Sequence, residues 1–209
     1  LGDKVELFDN GILNTQNKNV VVIGGGDTAM DCVRTAIRQK AKSVKCLYRR
    51  DRENMPGSAR EVANAIEEGV EFIWLSGPKK FTGNKQVEEV QVNKMILGSA
   101  DSSGRRKPEI QEKSEYNIKA DIVIKSLGFD PENLPELFSE KGLSVSRWGT
   151  IKIDLNTMQT NIDGIFAAGD IVRGASLVVW AIKDGRDVAV QIQRYLKEKS
   201  IQKDKVKAA

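Results

Sequence analysis

VVVIGGGDTAMD, residues 20–31, runs four apolar residues into three glycines and then into a polar stretch that can open a helix. A continuous apolar run of this length is what a strand buried on both faces requires. Three positions without side chains directly after it mark a chain that turns tightly or lets something approach its backbone. Gly24-Gly25-Gly26-Asp27-Thr28-Ala29 fits the pattern G-x-G-x-x-A. In that pattern the first glycine permits the turn and the second leaves room for a pyrophosphate. The small residue at the end lets the helix pack close to the strand. From Asp27 onward, Ala29, Met30, Val33, Ala36 and Ile37 recur at helical spacing. The phosphates of a dinucleotide would therefore sit at the positive end of a helix. Gly24, Gly25, Gly26, Asp27, Thr28 and Ala29 are the first candidate cofactor-binding residues.

Working outward, SVKCLY (43–48) has the composition of a second strand and completes a β-α-β unit. Beyond Pro56 and Gly57, Ser58-Ala59-Arg60-Glu61 has the S-x-x-E spacing of a capping box, which predicts a second helix to about Glu68. VEFIWL (70–75), KQVEEVQVNKMIL (85–97) and EYNIKADIVIKSLG (115–128) read as strands, the first two as part of an antiparallel excursion. The segment between the last two, SADSSGRRKP, reads as turns. The fold class is α/β: a Rossmann-like, three-layer nucleotide-binding domain with a parallel sheet and an antiparallel β excursion.

The end of the second strand selects the nucleotide. A fingerprint for NAD places an acidic residue about 20 residues beyond the glycines to bond the ribose hydroxyls. This chain has Tyr48-Arg49-Arg50 there, with Arg52 and Arg60 nearby in sequence. A carboxylate repels a 2′-phosphate, whereas a guanidinium bonds it through charge-assisted hydrogen bonds. Arg49, Arg50, Arg52 and Arg60 therefore predict NADP(H).

Composition excludes several other classes. The chain has 209 residues, 40% hydrophobic and 30% charged, as suits one large or two small globular domains. No apolar run approaches the roughly 20 residues of a membrane-spanning helix, and the first residues lack the layout of a secretory signal. The expected location is the cytoplasm, without a membrane partner. Cys32 and Cys46 are the only cysteines and form no C-x-x-C pair, which leaves zinc and dithiol redox centres without ligands and predicts buried thiols. The chain has no His, which weakens any His-dependent hydrolase reading. Of the net charge of +4, the segment 197–207 contributes +3 through five Lys against Glu198 and Asp204, so no nucleic-acid surface is predicted.

A second glycine constellation lies in MQTNIDGIFAAGDIVRGASLVVWAIKDGRDVAVQI, residues 158–192. Residues 165–168 read as a buried strand that Gly169-Asp170 terminates. From Ser176 onward, Leu177, Val178, Ala181, Ile182, Val188 and Ile192 have helical spacing. With these residues in view, the chain resembles the NADPH-dependent small (beta) subunit of glutamate synthase. That family stands within the wider group of two-dinucleotide-domain flavoprotein, pyridine nucleotide-disulfide oxidoreductase-like reductases. The resemblance covers residues 18–195 and rests on four ordered blocks: VVIGGGDTAMDC, YRRDRENMPGSAREV, ADIVIKSLGF and GIFAAGDIVRGASLVVWAIKDGRDVA.

The resemblance implies that Ser126 and Gly128 belong to the loop closing the NADPH domain, and that the last block belongs to an FAD domain. There Gly169 and Asp170 would meet the ribityl chain, and the backbone at Ser176, Leu177 and Val178 the flavin pyrimidine. It implies hydride transfer from NADPH to FAD and passage of electrons through iron–sulfur centres to a large subunit that makes glutamate. Such chemistry is carried by the cofactors, so no side chain is assigned as catalytic and no metal ligands are expected. The family's first FAD-domain half and its cysteine-rich segment have no counterpart in these residues, and two separated cysteines cannot hold a four-iron cluster. The expected organisation is a connector (1–17), an NADP-binding domain (18–128), the C-terminal part of an FAD-binding domain (129–197) and a flexible basic tail (198–209). As such a C-terminal fragment the isolated chain is expected to be inactive and to self-associate. Two other readings stay open: another NADPH-dependent reductase, dihydropyrimidine dehydrogenase-like or ferredoxin-coupled, and a non-catalytic NADP-binding module. A thioredoxin-reductase-like chemistry is disfavoured by the cysteine spacing.

Overall fold

In a computed structural model, the chain is described at residue 10 and over residues 13–100, 104, 106–128 and 130–207. It divides into two compact units, with the break between Leu127 and Gly128. The first unit is built from β1 (Asn19–Ile23), α1 (Asp27–Arg38), β2 (Ser43–Leu47), α2 (Ala59–Glu67) and β3 (Glu71–Ile73), followed by five further strands. These are β4 (Ser76–Thr82), β5 (Glu89–Ala100), β6 (Arg106–Ile110), β7 (Tyr116–Lys119) and β8 (Ile122–Lys125). A parallel sheet has the order β3-β2-β1-β8, with Val20 paired to both Val44 and Ile122. β4, β6 and β7 all pair antiparallel to β5.

The apolar run that opens the unit is buried on both faces, and its alternation divides it between two cores. Val20 and Val22 pack with Met30, Val33, Ala36, Val62 and Ala65 of the two helices. Val21 and Ile23 pack instead with Val90, Val92 and Ile118 of the antiparallel sheet. The three layers are thus helices, parallel sheet and antiparallel sheet. The successive valines are needed because each layer takes every second one.

Four elements of the first unit differ from the sequence reading. Of VEFIWL only Glu71–Ile73 is strand, and it is parallel; the antiparallel excursion begins with β4, whose Gly77 and Pro78 conceal it in the sequence. Pro78 is tolerated because the pairing shifts register between Pro78 and Lys80. The expected turns between β5 and β7 contain β6, with Pro108 opposite Leu97. The single strand expected over 115–128 is two strands in different sheets. The change of sheet occurs at adjacent residues: the Ala120 amide donates to Glu88 O and the Asp121 amide to Asn19 O.

The second unit holds α3 (Leu134–Leu137), α4 (Asp170–Arg173) and α5 (Val178–Lys207) around a small core of Leu143, Ile151 and Ala167. The strand expected over 165–168 is not formed; one bridge, Gln159 to Phe166, is all it contributes, and Ile165 is exposed. Its neighbour segment turns through Met158 at a φ of 56°, so a ladder cannot extend. The tail expected to be flexible is helical as far as Lys207, because 198–207 is rich in helix formers and contains neither Gly nor Pro. No helix among the described residues is long and apolar enough to cross a membrane.

Candidate nucleotide-binding site

β1 lies between β2 and β8, and the chain leaves it toward β2, so the sheet order reverses at its carboxyl end. Such a switch point opens a crevice in α/β sheets. At that end of the sheet the glycine turn follows β1, Tyr48 and Arg49 follow β2, and Ser126 follows β8.

The three glycines have three different reasons. Gly24 has a φ of +151°, and a Cβ on it would fall 2.2 Å from Ser126 O. The backbone of β8 closes against it there, with the Ser126 amide donating to Ile23 O at 2.8 Å. A Cβ on Gly25 would fall 2.3 Å from the Tyr48 ring. Gly26, the N-cap of α1, has open space: nothing lies within 4 Å of a Cβ built on it. Gly24 and Gly25 are therefore required by the fold, and Gly26 is the one that leaves a cradle. Among the described residues nothing accepts from the amides of Gly26, Asp27 and Thr28. Free amides at a helix start form a site for an anion, so the residues fit a pyrophosphate. Ala29 is fully buried, as close helix packing requires, and Thr28 is exposed.

Asp27 bonds a neighbouring loop. Its Oδ1 accepts from the Ser58 amide at 2.9 Å, while the Gly57 amide donates to Gly25 O at 2.8 Å. The loop from β2 to α2 is thereby fixed onto the glycine turn. Its interior is held as well, by Tyr48 Oη donating to Asn54 O at 2.9 Å and by the Asn54 amide donating to Asp51 Oδ1 at 3.0 Å. The Ser58 hydroxyl caps α2 by accepting from the Glu61 amide at 3.4 Å, half of the expected capping box. The Glu61 carboxylate pairs with Arg34 instead, which also reaches Glu68 at 2.7 Å and holds its carboxyl below the usual range.

The four arginines do not stand alike. Arg49, Arg52 and Arg60 are exposed and have no partner among the described residues. Arg50 is half-buried and donates from Nε to Arg106 O at 2.9 Å. Neither cysteine suits redox work: burial raises the Cys32 thiol above its ordinary value and pushes Cys46 up to about 12. Cys46 is fully buried as expected, whereas Cys32 is half-buried. No group of three metal-ligating side chains exists among the described residues.

In the second unit, Gly169 is buried with a φ of +78°, and Asp170 is exposed in the first turn of α4. Ser176, Leu177 and Val178 are exposed around the start of α5, with Leu177 at 66% and Val178 at 72%. Gly128, exposed with a φ of +85°, is the first residue of this unit. Sequence reading missed one pair here. Asp184, 3% exposed, accepts from Arg173 Nε and Nη2 at 2.5 and 2.7 Å. The guanidinium holds the Asp184 carboxyl below the usual range and ties α4, with Gly169 and Asp170, to α5. The available signal was position: Asp184 continues the helical spacing of Ala181, Val188 and Ile192, where an apolar residue is normally found.

Residues 3–185 match the family model described as pyridine nucleotide-disulphide oxidoreductase. The chain belongs to that family. It is 63% identical, over 96% of its length and 42% of the relative's, to the glutamate synthase [NADPH] small chain of Azospirillum brasilense. The protein of that name from Escherichia coli (strain K12) is 47% identical over 91% of this chain and 41% of its own length. The chain thus spans less than half the length of these relatives. Among solved structures, the thioredoxin reductase of Lactococcus lactis (FR conformation) aligns with a TM-score of 0.73 at 25% identity, over 92% of this chain and 57% of that one. The likeness is one of fold; Cys32 and Cys46 of this chain stand on separate elements.

Proposed function

We propose that these residues are the NADPH-binding portion of a flavoprotein oxidoreductase that passes hydride from NADPH to FAD, as the small subunit of a glutamate synthase. The observation that carries the reading is the switch point, where an open Gly26 and free helix amides start α1 and Tyr48-Arg49-Arg50 occupies the end of β2, the usual place of a ribose-binding carboxylate. The identity to glutamate synthase small chains favours this subunit over other NADPH-dependent reductases and over a non-catalytic binding module.

The roles follow from placement. Amides of Gly26, Asp27 and Thr28 hold the pyrophosphate, and the Asp27 carboxylate keeps the adjoining loop in position. Arg49, with Arg52 and Arg60, provides positive charge for the 2′-phosphate. When bound, NADPH supplies the hydride and FAD receives it. In the second unit, Gly169, Asp170, Ser176, Leu177 and Val178 form one wall of the flavin site, with the start of α5 favouring negative charge on the flavin. Ser126 and Gly128 belong to the loop at the end of β8. The remaining wall, the iron–sulfur centres and the glutamate-forming large subunit are supplied by residues and chains other than these, in the cytoplasm. The apolar start of α5 favours self-association of the isolated chain.

Each charge-assisted hydrogen bond to a partly exposed phosphate contributes about 1.5–3 kcal/mol, so two give a preference for NADP over NAD of about a hundredfold. Calorimetric titration of the chain with the two nucleotides tests this, and equal affinities overturn it. Coupling to glutamate synthesis is tested by pairing the full-length subunit with a glutamate synthase large subunit; dye reduction without glutamate formation points to another reductase.

A further inference from the structure

The sequence presents Arg49 and Arg50 as one doublet, and the structure separates them. Tyr48 and Arg50 are both anchored through their carbonyls to the segment that joins β3 to β4: Ser76 donates its amide to Tyr48 O, and Leu75 donates its amide to Arg50 O at 3.0 Å. The Leu75 carbonyl in turn accepts from the Met95 amide of β5. The Arg50 side chain extends this seam by donating from Nε to Arg106 O of β6 at 2.9 Å. Arg106 is itself fixed, with Nε on Gly98 O at 3.0 Å and Nη2 on Leu97 O at 2.9 Å across the β5–β6 ladder. Arg49, between the two anchored residues, is exposed and without a partner among the described residues.

We infer that Arg49 is the guanidinium that discriminates NADP from NAD, and that Arg50 is a positioning residue that braces the phosphate-selecting loop on the β5–β6 hairpin through the Arg106 carbonyl. The inference rests on the NADP reading above and divides labour within that site. A guanidinium whose Nε is committed to a carbonyl has lost the Nε edge of its fork for a side-on grip on phosphate. Its hydrogen bond instead removes freedom from a loop that must present Arg49 in one place, which lowers the ordering cost of binding. The antiparallel excursion thereby acquires a role in nucleotide selection, through Ser76 of β4 at Tyr48 and Arg106 of β6 at Arg50.

Glutamine separates charge from position. Its Nε2 stands the same number of bonds from the backbone as the arginine Nε, so Arg50→Gln keeps a donor for Arg106 O and removes the charge. The full 209-residue chain is titrated with NADP+ and NAD+ by calorimetry, as wild type and as Arg49→Gln, Arg50→Gln, Arg50→Ala, Arg106→Ala and the Arg50→Ala/Arg106→Ala double variant. Arg49→Gln lowers the NADP/NAD affinity ratio by about tenfold or more. Arg50→Gln stays within about threefold of wild type, whereas Arg50→Ala weakens NADP+ by about three- to tenfold. The double variant falls no further than the weaker single one, because Arg106→Ala keeps the carbonyl but frees it from Gly98 and Leu97, and so acts only through the brace that Arg50→Ala removes. Arg50→Gln costing as much as Arg49→Gln would make Arg50 a phosphate ligand and overturn the inference. So would an Arg50→Ala variant equal to wild type, or Arg50 and Arg106 effects that add. A wild-type chain without preference overturns the NADP reading itself, which separates that failure from this one.

Discussion

The two units use one local pattern, an apolar run, a glycine turn and a helix, and arrive at different degrees of closure. In the first, residues 20–23 are sandwiched between two cores, and both Gly24 and Gly25 are pressed against neighbouring elements. In the second, Ile165 is 41% exposed, Asp170 after the buried Gly169 is exposed, and α5 begins with Leu177 and Val178 uncovered. The core beneath consists of three buried residues. A glycine turn is therefore only as rigid as the layers that close on it. The first unit has three layers and the second depends on an ion pair, Arg173 with Asp184, where packing is thin.

The largest effect that would break this comparison is in the first turn. Gly24→Ala adds a Cβ against Ser126 O at an unfavourable φ and should cost about 3 kcal/mol or more, read as a lower urea midpoint together with lost NADP+ binding. Gly26→Ala, with open space around it, should leave the midpoint within about 1 kcal/mol and still abolish nucleotide binding. If both variants unfold alike, the division of the turn into structural and ligand glycines is wrong.

Removing the ion pair tests the second unit. Arg173→Met leaves a carboxylate that is 3% exposed without its guanidinium and should destabilise this unit, read as a lower urea midpoint. Hydrogen exchange should rise in α4 and the first half of α5 and stay unchanged in β1 and β2. A uniform rise would mean that the units do not unfold separately.

A smaller effect concerns acid. Asp121 Oδ2 accepts from the Asn19 amide and from Asn19 Nδ2, both at 2.7 Å, and these bonds hold its carboxyl below the usual range. A depressed carboxylate contributes stability that is complete above its unfolded pKa, about 4, and is lost as pH falls through its folded value. Asp121→Asn should therefore flatten the acid limb of the stability curve and cost about 1 kcal/mol at neutral pH. An unchanged acid limb removes Asp121 as the clasp between β1 and β8.

The smallest stability effect is expected at the open face. Leu177→Lys with Val178→Lys should leave the urea midpoint within about 0.5 kcal/mol, because both side chains are already exposed, and should lower the mass of the isolated chain in solution. Equal masses for variant and wild type mean that this face does not drive association.

The sequence by itself determined the strand, turn and helix at residues 19–38, the α/β class and the arginines after β2, because these depend on local spacing and composition. Burial of every residue in 20–23 followed from four apolar residues in succession, which suits no half-exposed strand. Only the tertiary structure decided the rest. β4 and β6 contain Pro78 and Pro108 and form because β5 offers partners at an irregular register, which local propensity does not report. Residues 165–168 look like a buried strand and form none, since a strand needs a neighbour to take its hydrogen bonds. Glu61 turned from its capping box to Arg34, and Asp184 found Arg173, through contacts between separate elements. Arg49 and Arg50 are identical in composition and adjacent in sequence. What distinguishes them is the Arg106 carbonyl, brought to one of them by a hairpin 56 residues further along.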